Sequence, residues 1–266
     1  MASVAEWIEG ARLRTLPAAI SPVLAGAGIA AFEGGLSPIR TILAALVALA
    51  LQVGVNFAND YSDGVRGTDA VRVGPQRLVG SGAARPSQVK AAAFACFGLA
   101  ACFGLVLVAL AGQWWLIAVG IACVLAAWYY TGGKHPYGYL GLGEVFVFVF
   151  FGLVATVGTT YVQIGRAPWP TWAVATAMGA IACQVLVCNN LRDIANDMAV
   201  GKRTLETRLG DRGSRLFYTA LAVIAVLMVV IAAAGTTWWG LGGLAMLFFL
   251  IPATRHVLGG VQGIAL

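Results

Sequence analysis

This sequence predicts an all-α polytopic membrane protein, a bundle of about eight or nine transmembrane helices. The chain of 266 residues is 60% hydrophobic and only 11% charged, whereas a soluble domain carries about 25% charged residues. Its mean hydropathy is +0.85. Apolar runs recur at the length of roughly 20 residues that a helix needs to cross a bilayer. Basic side chains also fall on alternate loops, as a membrane topology requires.

In chain order, residues 1–14 read as a short interfacial helix carrying Glu6, Trp7, Glu9, Arg12 and Arg14. The first span covers 15–32. Pro17, Pro22 and the upstream acids distinguish it from a cleaved signal peptide. Further spans are expected near 40–59, 88–111, 113–131, 143–164, 170–191, 215–234 and 237–253. Residues 259–266 read as the start of a further helix, so the sequence suggests a chain lacking its last span. Residues 1–266 are read as a single transmembrane domain.

Of the 17 Lys and Arg residues, 15 lie in the segments 1–14, 60–90, 132–142, 192–215 and 254–256; Arg40 and Arg166 are the exceptions. The positive-inside rule then places the N-terminus and these loops in the cytoplasm, in a plasma or inner membrane. The net charge of +6 belongs to this topology and does not point to nucleic acid. The five cysteines lie in apolar runs without a CxxC pair, and the two histidines are scattered. Neither set reads as a zinc or disulfide framework.

Polar chemistry gathers where spans meet the cytoplasmic loops. Asn56-Phe-Ala-Asn59-Asp60-Tyr-Ser-Asp63-Gly64 closes the second span, and Asn189-Asn190-Leu-Arg192-Asp193-Ile-Ala-Asn196-Asp197 closes the sixth. The shared Asn-x-x-x-Asp pattern stacks amide and carboxylate on one helix face and hints at a pseudo-repeat. Asp60, Asp63 and Asp69 form one acid cluster; Asp193 and Asp197 form the other. Mg2+ takes one or two carboxylates plus phosphate oxygens, so the clusters suggest metal holding a phosphorylated ligand. The plainer alternative is solvated acids at helix ends. Asn56 and Asn189, one turn deeper, can ligate metal, bond phosphate, or tie helices together.

Cations beside a diphosphate stabilise it as a leaving group. Arg66, Arg72, Arg77, Lys134, Lys202 and Arg203 are so placed, although topology alone accounts for most of them. Lys134 and Arg203 stand out because their contexts are glycine-rich or adjacent to a motif. The loop Tyr130-Thr-Gly-Gly-Lys134-His-Pro-Tyr137-Gly-Tyr139 can approach a ligand closely, and its tyrosine faces can shield a cation. An interfacial aromatic belt is the competing explanation.

These stretches resemble the UbiA superfamily of intramembrane prenyltransferases. NDYSDGVRGTD and NNLRDIANDMAVGKRTLETRLG are similar to its two aspartate-rich motifs. With GGKHPYGYLGLGEVFVFVFFG and the weaker ARLRTLPAAISPVLAG, they look most like the menaquinone branch, and the resemblance spans nearly the whole chain. It implies a helical bundle around a central cavity that opens laterally to lipid, a Mg2+-bound polyprenyl diphosphate and 1,4-dihydroxy-2-naphthoate as acceptor. Asp60, Asp63, Asp69, Asp193 and Asp197 would hold metal. Lys134, Tyr130, Arg66 and Arg203 would act on the leaving group and the allylic cation. Asn56, Asn189, Arg72, Arg77, Tyr137, Tyr139 and Lys202 would contact substrate. Many relatives carry an acid where this chain has Gly64, which leaves Asp63 or Asp69 to supply the further carboxylate.

Other readings are a UbiA-type enzyme with another acceptor (4-hydroxybenzoate, homogentisate or a chlorophyllide), a CDP-alcohol phosphatidyltransferase, and a cation transporter. Asp60-Tyr-Ser-Asp63-Gly64 matches the start of the phosphatidyltransferase motif, but the downstream GxxxDxxxD is missing. A transporter would carry acids near mid-span, and this chain keeps its acids at one membrane face.

Overall fold

The computed structural model describes residues 2–67, 77–134 and 136–263. Helices dominate throughout: α1 (Val4–Ala11), α2 (Leu16–Phe32), α3 (Pro38–Arg66), α4 (Pro86–Ala111), α5 (Leu116–Tyr129), α6 (Gly143–Val147), α7 (Ala155–Ile164), α8 (Trp169–Ala199), α9 (Leu205–Ala234) and α10 (Leu247–Leu258). A π-helical stretch, Phe148–Val154, joins α6 to α7, and a 3-10 stretch, Trp238–Met246, leads into α10. Seven continuous helical segments among the described residues have the length and apolarity of a membrane span, and the shorter apolar α5 accompanies them. These segments coincide with the eight expected spans. Large apolar side chains left outside, such as Trp239 at 90% exposed and Phe248 at 82%, suit a multi-pass membrane protein, whose outer surface meets lipid rather than water.

Local signals set the helix ends. The Ser3 hydroxyl accepts from the Glu6 amide while the Glu6 carboxylate accepts from the Ser3 amide, a reciprocal cap on α1. Pro86 occupies the first turn of α4, where its missing N–H costs nothing. Inside α9, Gly210 has φ 68° and ψ 177°, a left-handed backbone that only glycine adopts without strain. The break separates a short first segment, 205–209, from the long span behind it.

The chain divides into two compact units. One comprises Met1–Ile20 and Pro38–Tyr139; the other comprises Ser21–Ser37 and Leu140–Leu266. In the first, Phe57, Leu78, Val89, Ala93 and Phe97 form a buried apolar cluster, and Trp7 meets Phe57 edge-on at 5.5 Å between ring centres. In the second, Ala180, Cys183, Val187 and Leu191 of α8 pack with Tyr218, Leu221 and Ala225 of α9.

Both aspartate motifs lie on helix rather than loop. α3 continues to Arg66 and α8 to Ala199, beyond the apolar limits of residues 59 and 191 expected for these spans. Hydropathy marks only the lipid-buried part of a helix; hydrogen bonding carries the helix further.

Candidate active site

In the first unit α3 presents four polar positions in successive turns, and each has a different neighbour. Asn56, 3% exposed, donates Nδ2–H to the Ala11 carbonyl at 2.9 Å and to Thr15 Oγ at 3.1 Å. Its Oδ1 accepts from Gln52 at 3.3 Å. The expected substrate contact is therefore committed to holding the α1–α2 connection on α3.

Asp60 is 1% exposed. Its Oδ2 accepts the Leu78 amide at 2.8 Å and its Oδ1 accepts the Val79 amide at 2.9 Å. The expected metal ligand thus serves as an anchor for the loop after residue 77. Gly64 lies beneath the same loop: a Cβ there would stand 2.4 Å from Val79 Cγ1 and 3.3 Å from the Gly80 nitrogen. Any side chain there would require the loop at Val79 to shift.

Asn59 and Asp63 repeat the Asn-x-x-x-Asp spacing one register later and face the segment 130–139. Thr131 Oγ donates to Asn59 Oδ1 at 2.8 Å, and Tyr139 OH donates to Asp63 Oδ1 at 2.8 Å. Arg77 Nη2 stands 3.8 Å from Asp63 Oδ2, so this expected substrate contact is a buried partner of Asp63. Arg66 donates to the carbonyls of Thr131 and Gly133 and lies over the Tyr139 ring at 5.4 Å. The expected catalytic guanidinium is engaged in bracing the lysine loop. Tyr130 and Tyr137 meet edge-on at 5.5 Å. Tyr137 OH donates to the Ala126 carbonyl at 2.7 Å, and burial pushes its phenol above the ordinary value, so it stays a donor. Lys134 is exposed and makes no ion pair among the described residues. Asp69 and Arg72 lie outside the described residues.

In the second unit α8 carries its motif differently. Asn189 is exposed, whereas Asn190 is buried. Asp193 is partly exposed and receives a two-point contact from Arg192, Nε–Oδ1 at 2.8 Å and Nη2–Oδ2 at 2.9 Å. Asp197 follows four residues later on the same face, with Lys202 Nζ at 3.4 Å from Oδ1. The Lys202 amide also donates to the Asp197 carbonyl at 2.8 Å, so the turn at 200–204 folds back onto the helix end. Arg203 beyond it is exposed.

Mg2+ fits this chemistry. Among the described residues no three His, Cys, Asp or Glu side chains converge on a point. Carboxylates in ones and twos suit an ion that draws its remaining ligands from phosphate and water. Asp63, Asp193 and Asp197 are acids of the two motifs whose carboxylates meet side chains: Tyr139 and Arg77 at Asp63, Arg192 at Asp193 and Lys202 at Asp197.

The UbiA prenyltransferase family matches residues 19–260. The chain belongs to this family. A 1,4-dihydroxy-2-naphthoate octaprenyltransferase of Mycobacterium tuberculosis is 52% identical over 245 residues, 92% of this chain and 84% of the relative. The enzyme of the same name from Escherichia coli is 35% identical, covering 98% of this chain and 87% of the relative. Among solved structures, an apo UbiA homolog from Aeropyrum pernix superposes with a TM-score of 0.72 at 15% identity, over 98% of this chain and 91% of that one. A UbiA homolog from Archaeoglobus fulgidus bound to DMAPP and Mg2+ gives 0.60 at 14% identity, over 96% and 83%. At such identities the superpositions establish the UbiA fold.

Sequence reasoning passed over Asn59, Thr131, Asn190, Glu144 and Glu206. The signal for Asn59 was present, since Asn59-x-x-x-Asp63 has the spacing of Asn56-x-x-x-Asp60. Only the packing of the loops distinguishes the two registers.

Proposed function

We propose that this UbiA enzyme transfers a polyprenyl group from polyprenyl diphosphate to 1,4-dihydroxy-2-naphthoate, releasing diphosphate and CO2 and forming demethylmenaquinone of menaquinone biosynthesis in its reduced, quinol form. The observation that carries this reading is the 52% identity, across 92% of the chain, to a relative of that activity. Residues 1–266 act as one transmembrane catalytic domain in the bacterial inner membrane, with the motif loops in the cytoplasm. The basic loops support that orientation.

Asp63, Asp193 and Asp197, with Asp69, would hold Mg2+, which supplies positive charge to the diphosphate oxygens. Lys134 and Arg203, exposed and unpaired among the described residues, neutralise charge that grows on the leaving oxygen. The allylic C–O bond breaks with its electron pair going to diphosphate. Tyr130 and Tyr139 offer ring faces to the resulting allylic cation. The electron-rich naphthoate ring attacks through the carbon bearing the carboxylate, and loss of CO2 returns the bonding electrons to the ring. A lipid-embedded site keeps water from the cation. Asn189 and Lys202 contact the diphosphate, while Arg66, Arg77, Asn56, Tyr137 and Asp60 hold the surrounding segments in place.

The test is incubation of the purified chain with Mg2+, a polyprenyl diphosphate and a panel of aromatic acceptors, with product mass as readout. Prenylated, decarboxylated naphthoate is expected. A product formed from 4-hydroxybenzoate or homogentisate, but not from the naphthoate, overturns the acceptor.

A further inference from the structure

The second unit holds another acidic cluster, which the reaction above does not use. Glu144 opens α6, Asn190 lies three residues before Asp193 on α8, and Glu206 is the second residue of α9. All three are buried: Glu144 is 5% exposed, Asn190 8% and Glu206 0%. Asn190 Nδ2 donates to Glu144 Oε1 at 3.1 Å, and the Glu206 carboxyl is a close neighbour of the Glu144 carboxyl. Cys183, two turns earlier on α8, donates its thiol to the Glu144 carbonyl at 3.2 Å. Glu144 Oε2 and both oxygens of Glu206 meet no donor. Among the described residues no cation pairs with either carboxyl.

Burying such groups is costly unless they bond one another. Two carboxylates in contact and out of water repel. One hydrogen held between them replaces that repulsion with a bond and provides the missing donor. The segments joined here carry chemistry of their own. Arg208 Nη2 donates to the Leu140 carbonyl at 2.8 Å, and a Cβ at Gly141 would stand 3.2 Å from the Arg203 carbonyl. The entry to α6, the turn of α8 before Asp193 and the segment bearing Lys202 and Arg203 therefore meet around one buried polar contact.

We propose that Glu144, Asn190 and Glu206 are positioning residues: a hydrogen-bonded carboxyl pair and its amide that set the rotation of α8 at Asp193 and Asp197, and the placement of Lys202 and Arg203, for diphosphate binding. The proposal rests on the assignment of the second motif to the diphosphate. Asn190 is i, i+3 from Asp193, close enough on a helix for one contact to orient the other.

The experiment compares Glu206→Ala, Glu206→Gln and Asp193→Ala with the parent chain, purified in detergent. It measures the thermal midpoint and varies each substrate and Mg2+ separately. Glu206→Ala is expected to raise the KM for polyprenyl diphosphate and the half-saturating Mg2+ about tenfold or more, with the naphthoate KM within about twofold. Glu206→Gln carries its own donor to Glu144 and is expected within about threefold of the parent. If Glu206→Ala does not yield folded protein, Asn190→Ala breaks the same contact from α8 and is expected to show the same kinetic pattern. Parent-like kinetics in the alanine variant, equal losses in the Ala and Gln variants, or an effect on the naphthoate KM alone overturns the proposal. An active Asp193→Ala removes the second motif from the diphosphate site and takes the proposal with it. An inactive Asp193→Ala beside a normal Glu206→Ala removes only the positioning role.

Discussion

Asp60 and Asp193 hold the same place in matching Asn-x-x-x-Asp patterns, yet their surroundings differ. Asp60 is enclosed, each oxygen taken by a backbone amide of the loop it anchors. Asp193 is partly exposed and receives a two-point contact from the neighbouring Arg192 side chain. Asn56 and Asn189 differ in the same sense: one is tied to Ala11 and Thr15, the other is exposed. We propose that in the first unit the ligand-facing role moves one register along the helix, to Asp63 beside the Lys134 loop, so that similar motifs divide between holding structure and holding ligand according to what packs on them.

The sharpest way to break this contrast is to remove one acid from each side of it. Asp193→Ala is expected to lower turnover by about two to three orders of magnitude, the scale for losing a stabiliser of developing charge, with extractable folded protein retained. Asp63→Ala is expected to behave alike, as read by steady-state kinetics and thermal midpoint together. Asp193→Ala with near-normal turnover would erase the distinction.

Lys134→Ala comes next, with turnover down about a hundredfold. The loss is expected with every acceptor, because ionisation of the allylic diphosphate precedes acceptor attack. A change confined to the naphthoate KM would place Lys134 at the aromatic substrate instead.

Asp60→Ala is expected to act on stability. It leaves the amides of Leu78 and Val79 unpaired, at about 1–3 kcal/mol for each buried group. The thermal midpoint should fall while Mg2+ half-saturation stays within about threefold. A large Mg2+ effect with an unchanged midpoint would return Asp60 to the metal site. Gly64→Asp adds an acid beneath that loop and sharpens the same point. Because its Cβ would meet Val79 at 2.4 Å, the loop after residue 77 should lift, and trypsin should cut at Arg77 sooner than in the parent.

The smallest effect concerns orientation. Ser81→Cys is expected to keep activity within about twofold, since a surface change of this kind is within about 0.5 kcal/mol, and to be labelled only from the cytoplasmic side. Labelling from outside in intact cells would invert the topology.

The spans and their order were legible from composition, and an orientation was proposed from charge. Apolar run length answers to bilayer thickness, and loop charge answers to topology. The two aspartate motifs and the lysine loop were also visible, as runs of residue types that a bilayer tolerates only with reason. Which member of each run meets ligand was not visible. Asn56, Asn59, Asp60 and Asp63 lie three or four residues apart on one helix, so every neighbouring pair satisfies the same spacing. The loop at 77–84 claims Asp60, the α1–α2 connection claims Asn56, and the segment 130–139 claims Asn59 and Asp63. Glu144, Asn190 and Glu206 are further apart in sequence and share no motif; only folding brings them into contact. Spacing along a helix is a local property and is written in the sequence. The partner of each polar group is set by contacts between distant segments, and those exist only once the tertiary structure has formed.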